Sequence, residues 1–435
     1  MLKNFDDHIK KHFPFLTGSK LLIAISGGLD SVVLTHLCHQ LKFNITLAHC
    51  NFNLRGNESD ADEAFVRQLA EDLEVEVFIE RFDTESYAKN LQLSVQMAAR
   101  ELRYQWFREL MEQFRFDYLL TAHHADDNLE TFLINLSRGT GLEGLTGIPE
   151  VNGNIVRPLL PFSREQIEAY AKENGLQWRE DSSNASTKYL RNKLRLEVIP
   201  KLKEINPQLL QNFIKTQSFL NDSNEIIEDR MAQIDKQMVT TEGDTVKYDA
   251  NKLQKLSNPR AYLYQLLKDF NFTEWDDVAG FLKAQSGKQL FSKTHRLVRD
   301  RDYLLLTKLP TTQHKEITIL NNDNPVETPF GILYFGEVNS VVTETPNVIF
   351  VDKEKLKFPL TIRKWKDGDY FYPFGMNGKK KVSKYLKDEK LSLIDKEQTW
   401  VLSSGNKIVW VIGKRADDRF KVTERTSQIL KIEIK

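Results

Sequence analysis

The sequence predicts an α/β protein with a doubly wound parallel sheet at its amino end, an all-helical middle domain and a small α+β carboxyl domain. Three observations carry that prediction. From residue 20 to about 160, short apolar runs alternate with amphipathic helical stretches, the pattern of a parallel sheet with right-handed crossovers. Residues 207–239 and 251–284 then space their apolar side chains for helices and hold few strand formers, and 297–309 (LVRDRDYLLLTKL) gives strands before the linker. The last hundred residues alternate in the strand period, as in 407–412 (KIVWVI). The expected domains are 1–205, 206–315 and 325–435, with 311–325 polar enough to be a linker.

Composition bounds the class. At 435 residues, 40% hydrophobic and 28% charged, the chain is long enough for two or three cores. The formal charge is zero, but residues 351–435 hold 21 Lys and Arg against 12 Asp and Glu, so the basic end is a candidate for an anionic partner. Cys38 and Cys50 are the only cysteines. They argue against a disulfide framework or a cysteine zinc site and fit a reducing cytosol. The amino end, MLKNFDDHIKKHF, is polar and no run of eighteen apolar residues occurs, so neither a signal peptide nor a membrane span is expected.

Residues 21–25 (LLIAI) read as a buried parallel strand, 26–31 spell SGGLDS, and Val32, Val33, Leu37 and Leu41 recur at helical spacing. A helix that opens straight after a glycine-rich loop presents unpaired amides and a positive dipole end, and Gly27 and Gly28 let an anion approach the backbone. Ser26 and Ser31 add hydroxyl donors. Asp30 adds a carboxylate, which makes sense beside a phosphate if a hydrated magnesium ion bridges the two. No GxxxxGK[ST] occurs, so this is not the common phosphate loop. A plain strand-to-helix turn would account for two glycines, but not for serines on both sides with an acid inside. SGGLDS resembles the PP-loop of the ATP pyrophosphatase superfamily, with its adenine-nucleotide alpha-hydrolase-like fold, whose members split ATP between the α and β phosphates. The resemblance implies that Ser26, Gly27, Gly28, Leu29, Asp30 and Ser31 bind ATP.

The second strand, 45–50 (ITLAHC), opens into His49, Asn51, Asn53 and Arg55 at the edge where ligands sit in open α/β sheets. An acidic helix follows from Glu58, then a third strand at 75–79. Helix 94–114 sets Arg100, Arg103 and Tyr104 along one face; without context these arginines are as well read as solvated charges. A fourth strand, 118–122, runs into HHADDNLET at 123–131. Adjacent histidines and aspartates rarely converge on one ion, so a transition-metal site is not expected. Asp126 or Asp127 is expected to cap a helix with the stripe Leu129, Phe132, Leu133 and Leu136. Asp127 and Glu130 then stand three apart on one face, able to grip one cation. A glycine-rich loop with Arg138 leads to a fifth strand at 156–160 with Arg157, and Ser163 and Gln166 form a capping box. WREDSSNASTKYLRNKLRLEVIP at 178–200 places Arg191 and Arg195 at i and i+4, a plausible pair for an anion.

Taken together, SGGLDS, HCNFNLRG, AARELRY, HHADDNLET, SRGTGLEGL, RPLLPF and WREDSSN...YLRNKLR resemble the bacterial tRNA(Ile) lysidine synthetase family, in family order over residues 20 to 200. RKWKDGDYFYPFGMNGKKKVSKYLKDEK resembles that family's RNA-contacting tail. Two departures stand out: Asn128 and Leu129 follow HHADD where Gln and Ala are usual, and Tyr370 stands where Arg is commoner. The resemblance implies ATP and Mg2+ as substrate and cofactor, with Asp30 on the magnesium. It implies L-lysine and a tRNA(Ile) with a CAU anticodon as partners, the first anticodon cytidine becoming lysidine through an adenylated intermediate. The expected catalytic set is Asp30, Asp127, Glu130, Arg100, Arg103 and His123, with His123 or His124 as a proton carrier and the two helix arginines on the α phosphate. Asp127 and Glu130 would bind the ammonium groups of lysine and Arg191 or Arg195 its carboxylate. Lys379, Lys380, Lys381 and Lys384 are the expected tRNA contacts, interleaved with Trp365, Tyr370, Phe371, Tyr372, Phe374 and Tyr385. A cytoplasmic protein is expected, and a homodimer is left open.

Three rivals are weaker. A tRNA sulfurtransferase would need a sulfur-carrying cysteine or an iron–sulfur cluster, for which Cys38 and Cys50 are badly placed. An amidotransferase would want a glutaminase domain, and no catalytic cysteine is evident. A binding protein with a vestigial nucleotide site should have lost part of SGGLDS, which is complete.

Overall fold

The computed structural model describes residues 1–180, 190–309, 316–320, 325–342, 345–376 and 378–435. Two compact units are formed, 1–228 and 229–435. In the first, α1 (Leu2–His12) leads to β1 (Lys20–Ala24), α2 (Leu29–Gln40), β2 (Asn44–Asn51), α3 (Asn57–Asp72) and β3 (Val77–Arg81). There follow α4 (Thr84–Leu91), α5 (Val95–Phe114), β4 (Tyr118–Leu120), α6 (Ala125–Arg138), α7 (Leu142–Leu145), β5 (Val151–Asn152), β6 (Ile155–Val156) and α8 (Arg164–Glu173). The strand order is β3-β2-β1-β4-β6-β5, parallel except for the terminal hairpin of β5 with β6.

This is the doubly wound sheet that the alternation predicted. Leu21 and Ile23 turn to one face and pack with Phe5, Val33, Leu37 and Ile167; Leu22 turns to the other, against Trp106, Phe107 and Leu110 of α5. Opposite orientation of neighbouring side chains on a strand is what puts one apolar run into two cores. The fifth strand is shorter than expected: only Ile155 and Val156 pair, while Leu159 and Leu160 are buried in the turns that follow. Ser163 and Gln166 do form the capping box at the start of α8.

Beyond α8 come α9 (Leu190–Lys193), a π-helical turn (Leu194–Val198), α10 (Ile199–Ile205) and the long α11 (Leu209–Met238). The DSSNASTKY part of the basic motif, 181–189, lies outside the described residues.

In the second unit, helices Ala250–Gln254, Pro259–Leu267 and Trp275–Gly280 supply the expected helical region. They share it with a five-stranded antiparallel sheet over Val239–Glu242, Thr245–Asp249, Gln289–Phe291, His295–Asp300 and Tyr303–Lys308, so the region is not all-helical. His295–Asp300 and Tyr303–Lys308 answer to the strands expected over 297–309; the other three, of three to five residues, leave too few periods for alternation to register. The carboxyl end holds antiparallel sheets of five, four and two strands around a core with Trp400, Leu402, Trp410 and Ile432. Among the described residues no helix is long and apolar enough to cross a membrane.

Candidate active site

SGGLDS sits at the carboxyl end of β1, the edge at which open α/β sheets bind ligands. Gly27 has φ +85°, a left-handed conformation, and a Cβ there would lie 3.3 Å from Phe65 and 3.5 Å from Val66 of α3. The backbone angle favours glycine, and the approach to Phe65 adds crowding for any larger residue. The loop is braced from within: the Ser31 hydroxyl donates to Gly28 O at 2.9 Å, and the Ser26 and Ser31 hydroxyls lie 3.2 Å apart. It is braced from outside by Arg179, whose N–H donates to Gly27 O at 2.9 Å and whose Nε donates to Asp62 of α3 at 2.5 Å. α2 starts at Leu29, so its first amides and its positive dipole end border the loop.

The second cluster lies beyond β4. His124, not Asp126 or Asp127, occupies the N-cap of α6; Asp127 caps it in reverse, accepting the His124 N–H at 3.2 Å. A carboxylate at the third helical position reaches back to the cap amide as readily as a cap side chain reaches forward. Asp126 is turned aside, accepting from Lys203 Nζ at 2.9 Å and from the Arg164 N–H at 2.8 Å. Asp127 and Glu130 act as a pair, as their spacing predicted: Arg195 Nε donates to Glu130 at 2.6 Å and Arg195 Nη2 reaches Asp127 at 3.1 Å. Arg191 Nε lies 3.1 Å from Glu130. In this structure, therefore, both arginines neutralise the acids.

One imidazole joins the two clusters. Buried His124 places Nε2 3.6 Å from Asp30 and 3.4 Å from Asp127, while its Nδ1 has no hydrogen-bond partner. On its other side the ring faces Asp126, Nδ1 to Oδ2 at 3.8 Å. Arg164 flanks Asp30 as well, Nη1 to Oδ2 at 3.1 Å. Burial raises the Asp30 pKa against the opposing charges of His124 and Arg164. Burial pulls Arg195 down, but Glu130 and Asp127 more than offset it and its pKa is raised. His123 is carried by burial to about 4, so its ring is neutral at physiological pH; its Nδ1 lies 3.0 Å from the Thr121 hydroxyl.

Of the expected site residues, Asp30, Asp127, Glu130, Arg191 and Arg195 are thus drawn into one charge network with His124. Arg100 and Arg103 are not part of it: exposed on α5, they lie over the rings of Tyr104 and Phe52 at 4.9 and 5.0 Å. Arg164 and Arg179 were missed, because their partners lie 134 and 117 residues away and leave no local spacing to read. Asn128 has a structural role: it donates to Gln217 at 2.8 Å and accepts the Ile148 N–H at 2.7 Å, clamping the glycine-rich loop. In the second unit, Lys379 lies over Tyr370, Lys380 pairs with Asp388 at 2.8 Å, and Lys381 and Lys384 are exposed. Cys38 is buried, and burial pushes the Cys50 thiol up to about 12, so neither is a ready nucleophile.

The sheet, the loop at its switch point and the carboxylates facing it define a nucleotide-binding PP-loop enzyme domain, and the PP-loop domain model matches residues 1–202. The TilS substrate binding domain model matches 241–309 and the TilS substrate C-terminal domain model 360–434. The tRNA(Ile)-lysidine synthase of Parabacteroides distasonis is 42% identical over 97% of each chain, that of Bacteroides thetaiotaomicron 40% identical over 97% of each. The Bacillus subtilis tRNA(Ile)-lysidine synthase is 31% identical over 95% of this chain and 93% of its own. The chain belongs to the tRNA(Ile)-lysidine synthase family.

Proposed function

We propose that the chain ligates L-lysine to C2 of the cytidine at the first anticodon position of a tRNA(Ile) with a CAU anticodon, converting ATP to AMP and pyrophosphate. The observation that carries this reading is the meeting, through His124, of a loop suited to phosphates with a carboxylate pair suited to an ammonium group. Cytosine C2 is a poor electrophile and its O2 a poor leaving group. Transfer of AMP to O2 corrects both and releases pyrophosphate; attack of the lysine ε-amine on C2 then expels AMP with that oxygen, and the amine loses its proton.

The loop amides with Ser26 and Ser31 face the pyrophosphate as charge develops on it. Among the described residues no three or more His, Cys, Asp and Glu are grouped to hold a metal, so a magnesium ion would share Asp30 with the phosphates, the arrangement this ion favours. Bound there, magnesium would supply positive charge beside the departing pyrophosphate. Arg100 and Arg103 approach the α phosphate from α5. Asp127 and Glu130 receive an ammonium group of lysine in exchange for Arg195, which is then released toward the lysine carboxylate, with Arg191 beside it. His124, with Nε2 between Asp30 and Asp127, is better placed than His123 to carry a proton near the reacting groups. Lys379, Lys380, Lys381 and Lys384 contact tRNA. The enzyme works in the cytoplasm, with 1–205 as catalytic domain, 206–315 as middle domain and 325–435 as RNA-contacting domain; a homodimer is compatible with this reading.

Glu130→Gln tests the assignment of the acids. It raises the KM for lysine about tenfold or more, the loss of one charge-assisted contact, and lowers pyrophosphate release from ATP and tRNA far less. Equal loss in both measurements contradicts a lysine-binding role.

A further inference from the structure

We propose that Arg164, paired with Asp30, is a phosphate-binding residue that is handed to the triphosphate when magnesium takes that carboxylate. The inference rests on the reading of Asp30 as the magnesium ligand. Arg164 is the first residue of α8, and its backbone is anchored: its N–H donates to Asp126 at 2.8 Å, while Lys203 holds the other Asp126 oxygen at 2.9 Å. The side chain is by contrast 44% exposed, with Nη1 3.1 and 3.5 Å from the two Asp30 oxygens. An exposed ion pair of this kind contributes little to stability, so a role in folding does not explain it.

Asp30 itself is only 26% exposed. His124 flanks Oδ1 at 3.6 Å and Arg164 takes Oδ2 at 3.1 Å. A divalent ion binds carboxylate oxygen at about 2.1 Å, which would leave it and the guanidinium only a few ångströms apart on one carboxylate. Repulsion at that separation is large, so metal binding displaces Arg164. Pivoting on its anchored backbone, the released guanidinium stays within a side chain's length of residues 26–31. Its planar fork matches two phosphate oxygens.

Two titrations of the full-length protein test this: manganese ion alone, followed by its paramagnetic signal, and α,β-methylene-ATP in the presence of Mg2+. Arg164→Ala should bind Mn2+ about fivefold or more tightly because its competitor is gone, and the nucleotide about tenfold or more weakly; Arg164→Lys should fall between it and the native chain. A merely structural role would weaken both. Loss of both affinities, or a change in neither, overturns the proposal. Asp30→Asn distinguishes the underlying reading. If it abolishes Mn2+ binding while Arg164→Ala changes neither affinity, the hand-over alone is wrong. If Mn2+ binds Asp30→Asn unchanged even with nucleotide, Asp30 is not the metal ligand and both ideas fall.

Discussion

At the scale of single residues, the account depends on a few positions where backbone geometry leaves no choice. Gly27 is one, because a side chain there would be strained at φ +85° and would crowd Phe65. Gly27→Ala should cost about 1–2 kcal/mol in backbone strain and move the loop amides, so that pyrophosphate release falls tenfold or more while the melting temperature drops only a few degrees. Wild-type turnover in that variant would show that the loop does not cradle phosphates. Asp127 and Glu130 were legible in the sequence as a pair because helical spacing is local information. That the same pair would be found gripping Arg195 was not, since that contact closes a loop of 65 residues.

Among the elements, the start of α3 does more than pack. Glu63 is buried there and accepts from Asn51 at 2.9 Å, from Arg81 at 2.8 Å and from Arg67 at 3.0 Å. Burial alone would raise its pKa, but these hydrogen bonds hold it at about 2. A folded-state pKa below the ordinary carboxylate value means that the stabilisation is present above about pH 4.5 and is lost as pH falls toward 2. Glu63→Gln should therefore lose about 2 kcal/mol of stability at pH 7. Denaturant titrations of the two proteins should converge near pH 2, and a gap that persists there contradicts this origin. The acidic helix itself was readable from its apolar spacing. The ion-pair lattice was not, because it joins α3 to β2 and β3 across the sheet edge.

The parallel sheet of the first unit was legible because each of its main strands is an apolar run followed by a helical period. The sheet within residues 239–308 was legible only in part: the apolar stretch 297–309 reads as strands, whereas Val239–Glu242, Thr245–Asp249 and Gln289–Phe291 are too short for alternation to register beside the helices between them. Charge is the other property of the whole molecule. The excess of cations in 351–435 was visible by counting, but which of them are exposed required the fold: Lys380 is committed to Asp388, whereas Lys379, Lys381 and Lys384 are exposed. Alanine at Lys379, Lys380 and Lys381 together should weaken tRNA binding and flatten its dependence on salt by two to three phosphate contacts. Unchanged binding and slope would remove this surface from the account.

The central claim is the reaction. Incubation with unmodified tRNA(Ile), ATP, magnesium and isotopically labelled lysine, followed by nuclease digestion and mass analysis of the anticodon nucleosides, tests it directly. The expected product is a cytidine at the first anticodon position carrying one lysine in place of O2, with AMP and pyrophosphate formed in equal amounts. Pyrophosphate release without lysine in the RNA would contradict the second substrate, and ATP left intact in the presence of the tRNA would contradict the reaction itself.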